Sequence, residues 1–193
     1  MKTIKISPEQ MAKRTAKFAD LRPYSEQHDD STGIPRAAME KLTAHRVYPI
    51  MVPPSYTGRS AMAPLKTSER IVLAIAECPP DNGPGLHNHE ITTENFMCLQ
   101  GRFRVCWGDE GENCLTLDPL DFVSIPPGVA RNFHNISNET GRLLAIIETA
   151  GDGSNDRVAY APAVADELSE EFGPDTLAAL KQIGFKFDSG VDA

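Results

Sequence analysis

Between residues 46 and 149 the chain is cut into short apolar runs, at 47–52, 70–78, 95–99, 103–107, 113–117, 122–125, 131–136 and 143–149. Pro, Gly, Asp and Asn punctuate the intervals. Runs of this length with turn residues between them describe an antiparallel sandwich or barrel, so the central part reads as all-β. Its flanks read differently. Ser7, Pro8, Glu9 and Gln10 open a helical pattern carrying Met11, Thr15, Phe18 and Leu21, and a second helical pattern covers 35–45. Residues 163–172 and 175–183 return to helical periodicity, separated by Gly173 and Pro174. The expected organisation is a helical extension over 1–45, a β domain over 46–150 and a helical extension over 151–193.

The 193 residues suffice for one substantial core. With 19 Lys and Arg against 27 Asp and Glu, the formal charge of −8 argues against nucleic acid or an anionic membrane as partner. No apolar stretch approaches the ~20 residues that cross a bilayer, and no secretory leader is visible, so the expected location is cytoplasmic. The four cysteines, Cys78, Cys98, Cys106 and Cys114, lack CxxC spacing and are expected to be reduced there. The turns at Gly58-Arg59 and 108–111 do not form a phosphate loop.

Chemistry concentrates in 83–94, Gly-Pro-Gly-Leu-His-Asn-His-Glu-Ile-Thr-Thr-Glu. On a strand the two-residue spacing puts His87 and His89 on one face. A turn after His89 lets Glu94 approach from the next strand, which makes a two-His, one-carboxylate set suited to Fe(II), Mn, Ni, Co or Zn. Glu90 is a rival carboxylate, although its place directly after His89 points it to the opposite face.

These residues resemble the first motif of the cupin superfamily: Gly83, His87, His89, Glu94 and Gly101 match it in order and spacing. Residues 121–128, Asp-Phe-Val-Ser-Ile-Pro-Pro-Gly, followed by Asn135, match much of the second motif. The resemblance implies a jelly-roll (cupin) β-barrel for the central domain. It also implies a fourth metal ligand, a His three residues after Gly128, where this chain has Arg131. A guanidinium has no lone pair to offer a metal, so Arg131 is a candidate catalytic residue that holds a substrate carboxylate or phenolate. His134 completes the candidate ligand set if a bulge at Asn132 or Phe133 turns it inward; simple alternation places it on the other face.

Phe96, Cys98, Phe103, Val105, Trp107, Phe133 and Ile147 are candidate inward residues that would line an apolar pocket. The expected function is a non-haem Fe(II) dioxygenase acting on a small aromatic or phenolic carboxylate. The alternatives are a redox-neutral metal-dependent isomerase or lyase, with Glu90, His134 or Tyr48 moving a proton, and a non-catalytic small-molecule-binding cupin. A homodimer is expected, with the segment 47–52 adding a strand across the interface.

Overall fold

The computed structural model describes residues 1–28, 30–148 and 156–191. The eight apolar runs form strands, and His87–His89 adds a further one: β1 (Arg46–Met51), β2 (Ile71–Cys78), β3 (His87–His89), β4 (Thr93–Gln100), β5 (Phe103–Trp107), β6 (Asn113–Leu117), β7 (Phe122–Ile125), β8 (Arg131–Asn135) and β9 (Gly141–Glu148). A tenth strand, β10 (Val158–Tyr160), comes from the segment expected to be helical. Alternation is clear in β4, where Glu94, Phe96 and Cys98 are buried between less buried neighbours, and in β8, where Arg131, Phe133 and Asn135 are buried.

The strands form two five-stranded sheets, ordered β1-β2-β9-β4-β7 and β10-β3-β8-β5-β6, with every paired strand antiparallel. This corrects the barrel expected from the sequence. Among the described residues no ladder joins the sheets, so β1, β7, β10 and β6 remain edges. The inner faces are held apart by the side chains between them. Phe96, Cys98, Ile125 and Leu143 from one sheet meet Phe103, Val105, Leu117 and Phe133 from the other. Stacked sheets lie about 10 Å apart, twice the spacing of hydrogen-bonded strands, so a filled sandwich cannot also be closed by backbone pairing along those faces.

The N-terminal helical pattern shortens to α1 (Pro8–Ala12), capped by Ser7, after which the chain makes short 3-10 turns. The second pattern forms α2 (Arg36–Thr43). After β10 come α3 (Pro162–Phe172) and α4 (Pro174–Gln182), each with Pro in its first turn, where the missing N–H costs nothing. A second core forms from Ala38 and Leu42 of α2, Leu168 and Leu180 of the last two helices, and Tyr160 of β10. The chain remains anchored beyond α4: Ser189 donates from its backbone N–H to the Tyr160 carbonyl, and Arg157 pairs with Asp188. No helix among the described residues is long and apolar enough to cross a membrane.

Contrary to the expectation of four free thiols, Cys106 and Cys114 form a disulfide; they sit directly opposite each other on β5 and β6. Cys78 and Cys98 are free and buried. The segment 47–52, expected to cross to another chain, pairs as β1 with β2 of its own chain.

Candidate metal centre

Three strands converge on one point between the sheets. β3 lies between β10 and β8, with His87 opposite Tyr160 on one side and Arg131 on the other. His87 and His89 point to the same inner side, with ring centroids 5.6 Å apart. Glu94 enters from β4 in the opposing sheet, where its alternation with Phe96 and Cys98 directs it inward. One ligand atom from each of His87, His89 and Glu94 lies within 4.8 Å of the others, and all three residues are buried.

Hydrogen bonds set the state of both imidazoles. His87 Nδ1 lies 2.8 Å from the Gly85 carbonyl oxygen, which can only accept, so Nδ1 carries the proton and Nε2 keeps a lone pair. The same logic places a proton on His89 Nδ1, 2.6 Å from Asp156 Oδ2, and its Nε2 faces Glu94 Oε2 at 3.9 Å. Thr92 braces this pair by donating its hydroxyl to Asp156 Oδ2, and the Ile91 backbone N–H donates to Oδ1. Asp156 was not singled out from the sequence. It lies 67 positions after His89 in a polar stretch, and only folding brings it back.

Burial, reinforced by the positive charge of Arg131, pushes His87 down to about 3 and keeps the ring neutral at ordinary pH. Burial also opposes ionisation of Glu94, but the charge and hydrogen bonds of Arg131 outweigh it and hold the carboxyl below its ordinary range. Asp156 behaves likewise: burial raises it, while hydrogen bonds from His89, Thr92 and Ile91 lower it further. The site therefore presents two imidazoles, that of His87 neutral, and an ionised carboxylate, which is the donor chemistry of a divalent transition metal. An oriented imidazole whose second nitrogen is bound by a carboxylate or carbonyl is the usual arrangement around such ligands.

Arg131 does point inward, and it is 1% exposed. Its Nε and Nη2 both donate to Glu94 Oε2, at 3.0 and 2.6 Å, and Nη1 reaches the His87 and Val129 carbonyls at 3.4 and 3.5 Å. The guanidinium is thus engaged by protein on all three nitrogens. His134 keeps the simple alternation of β8 and stands on the face opposite Arg131, Phe133 and Asn135. It lines a separate cavity with Asp81, Asn132 and Glu167, away from the two histidines and Glu94. Burial, with Arg104 nearby, lowers its pKa. Glu90 is exposed, and Tyr48 packs against Phe18.

A cavity of about 170 Å³ opens onto His87, His89 and Glu94. Its walls are mostly apolar, with Phe133, Ala145 and Ile147 among them, and Tyr24, Tyr56, Arg59 and Tyr160 add polar groups. Phe96, Cys98, Phe103 and Val105 pack instead in the filled core behind it.

Residues 74–147 match the profile of the Cupin_2 family, described as a cupin domain. The chain carries a single cupin-superfamily domain, and the two histidines and Glu94 lie within the matched segment. A search among curated proteins finds no significant match. Among solved structures, a Thermus thermophilus protein is 24% identical, with a TM-score of 0.39 over 43% of this chain and 76% of its own. The cupin domain of Schizosaccharomyces pombe Cnp3 is 19% identical, with a TM-score of 0.40 over 44% of this chain and 60% of its own. A predicted oxalate decarboxylase of Thermotoga maritima is 22% identical, with a TM-score of 0.39 over 42% and 68%.

Proposed function

We propose that this protein is a metal-dependent cupin enzyme that binds one divalent transition metal, Fe(II) by preference, through His87 Nε2, His89 Nε2 and Glu94. The observation that carries the reading is the donor set: two imidazoles whose tautomers are set by Gly85 and Asp156, facing a carboxylate from the opposite sheet. Three ligands leave coordination positions open towards the cavity for a small organic molecule. In the preferred reading the reaction is a dioxygenation of a small aromatic or phenolic carboxylate, for which the bound metal supplies the redox chemistry.

The chain's residues supply the rest. Arg131 holds Glu94 in one orientation and keeps it ionised, so we assign it a positioning role through Glu94. The apolar walls exclude water and accept a flat ring. Glu90, His134 and Tyr48, the proton carriers expected for a redox-neutral reaction, do not line the cavity. A homodimer is retained as part of the proposal. Its support is the exposed pair Leu120 and Phe122 at edge strand β7, a surface that a second copy would cover.

The test is elemental analysis of anaerobically purified protein beside the His87→Ala/His89→Ala variant, followed by oxygen-uptake assays with aromatic acids. About one iron per chain in the wild type, lost in the variant, is the expected result. Protein that holds no specific metal after anaerobic reconstitution would overturn the metalloenzyme reading. Iron binding without oxygen uptake on any aromatic acid would remove the dioxygenase assignment alone.

A further inference from the structure

Arg131 is committed to Glu94, but another guanidinium stands at the cavity. Arg59 follows Gly58 at the start of a 3-10 turn, Arg59–Met62, and lines the pocket that holds His87, His89 and Glu94. Its Cζ lies 5.8 Å from the Tyr24 ring centroid and 5.1 Å from that of Phe185, so aromatic faces cradle the cation. Its guanidinium also interacts with the hydroxyl of Tyr160, whose proton is donated to the Leu42 carbonyl.

Among the described residues no carboxylate pairs with Arg59, whereas Arg102, Arg131, Arg142 and Arg157 all have acidic partners. A guanidinium without a counter-ion, held by rings at the wall of a cavity, retains its capacity to bind an anion through paired N–H donors. Tyr160 also connects Arg59 to the candidate metal ligands. It touches both groups: its hydroxyl interacts with Arg59, and its ring centroid lies 5.3 Å from the His87 imidazole. Arg59 and the two histidines line one cavity of about 170 Å³, so a single small molecule could touch both. Glu94 does not repel such an anion, because Arg131 neutralises it.

We propose that Arg59 is the specificity-determining residue of this site: it binds the carboxylate of a small monocarboxylic acid whose opposite end faces His87, His89 and Glu94. The substrate class rests on the metal-site reading above, whereas the anion contact itself can be tested without it.

The probe is benzoate, titrated calorimetrically into zinc-reconstituted wild-type protein and into Arg59→Gln, with benzamide and inorganic phosphate as comparisons and zinc content measured on the same samples. Saturable benzoate binding is expected in the wild type, weakened at least about 10-fold in Arg59→Gln, as loss of a charge-assisted bidentate contact implies. Benzamide binding and zinc content should not change. Arg59→Lys, which keeps the charge but not the planar fork, should fall between the two, and it carries the comparison should Arg59→Gln fail to unfold cooperatively. Equal benzoate affinity in wild type and variants, absence of benzoate binding to the wild type, or phosphate binding more tightly than benzoate would overturn the assignment. A wild type that holds no zinc, yet loses benzoate binding on Arg59→Gln, would remove the metal reading and leave the anion site standing.

Discussion

At the scale of single residues, the site depends on groups that touch no substrate. Asp156 locks His89 by accepting from Nδ1, so Asp156→Ala frees the ring to rotate and to exchange tautomers. Metal affinity should drop about 10- to 100-fold, as read by competition with a chromophoric zinc chelator, while His87 and Glu94 still provide residual binding. Arg131→Ala has a different signature. It leaves the Glu94 carboxylate buried without its partner, and metal-free protein should lose about 3–5 kcal/mol in urea unfolding. Zinc should stabilise this variant more than it stabilises the wild type, because the ion replaces the missing positive charge. Equal zinc stabilisation of both proteins would show that metal and Arg131 do not share the carboxylate.

At the scale of elements, the site requires the loop before β3 to run tightly against β8. The Asp81 N–H donates to the Asn135 carbonyl, and the Asn135 N–H donates to the Asn82 carbonyl. At Gly83 the approach is so close that a Cβ would stand 1.7 Å from the Phe133 carbonyl oxygen. Gly83→Ala must therefore push the loop off β8, and backbone cannot yield as a side chain can. A loss of about 3 kcal/mol or more in urea unfolding is expected, together with weaker metal binding, since the displaced loop leads directly into His87. Gly101 is constrained in another way: its φ of +80° disfavours any side chain at the end of β4.

At the scale of the whole molecule, the cysteines report on both packing and redox state. Folded protein should show no fast-reacting thiols with an aromatic disulfide reagent, denatured protein two, and denatured and reduced protein four. Burial pushes the Cys78 thiol up to about 12. Unfolded chain loses that proton near pH 9, so the contribution to stability is complete below that pH. It declines as the pH rises from there towards 12, by up to about 1.4 kcal/mol per unit. Melting temperature should accordingly fall between pH 9 and 10.5, and Cys78→Ala should flatten the decline.

The central strands were legible because each is a short apolar run between turn residues, and three of them, Phe103–Trp107, Asn113–Leu117 and Phe122–Ile125, begin and end where the pattern does. The pairing of His87 and His89 on one face follows from strand periodicity alone, and alternation by itself separated Arg131 from His134. These are local properties, encoded in neighbouring residues. Whether the sheets close, whether Cys106 meets Cys114, and that β10 flanks β3 are set by contacts between distant segments, which no local pattern records. The same holds for the two arginines: the sequence put Arg131 in the pocket and left Arg59 in a turn. Only the tertiary structure shows the first consumed by Glu94 and the second lining the cavity with no carboxylate partner among the described residues, because a charge's role depends on which groups folding brings within reach of it.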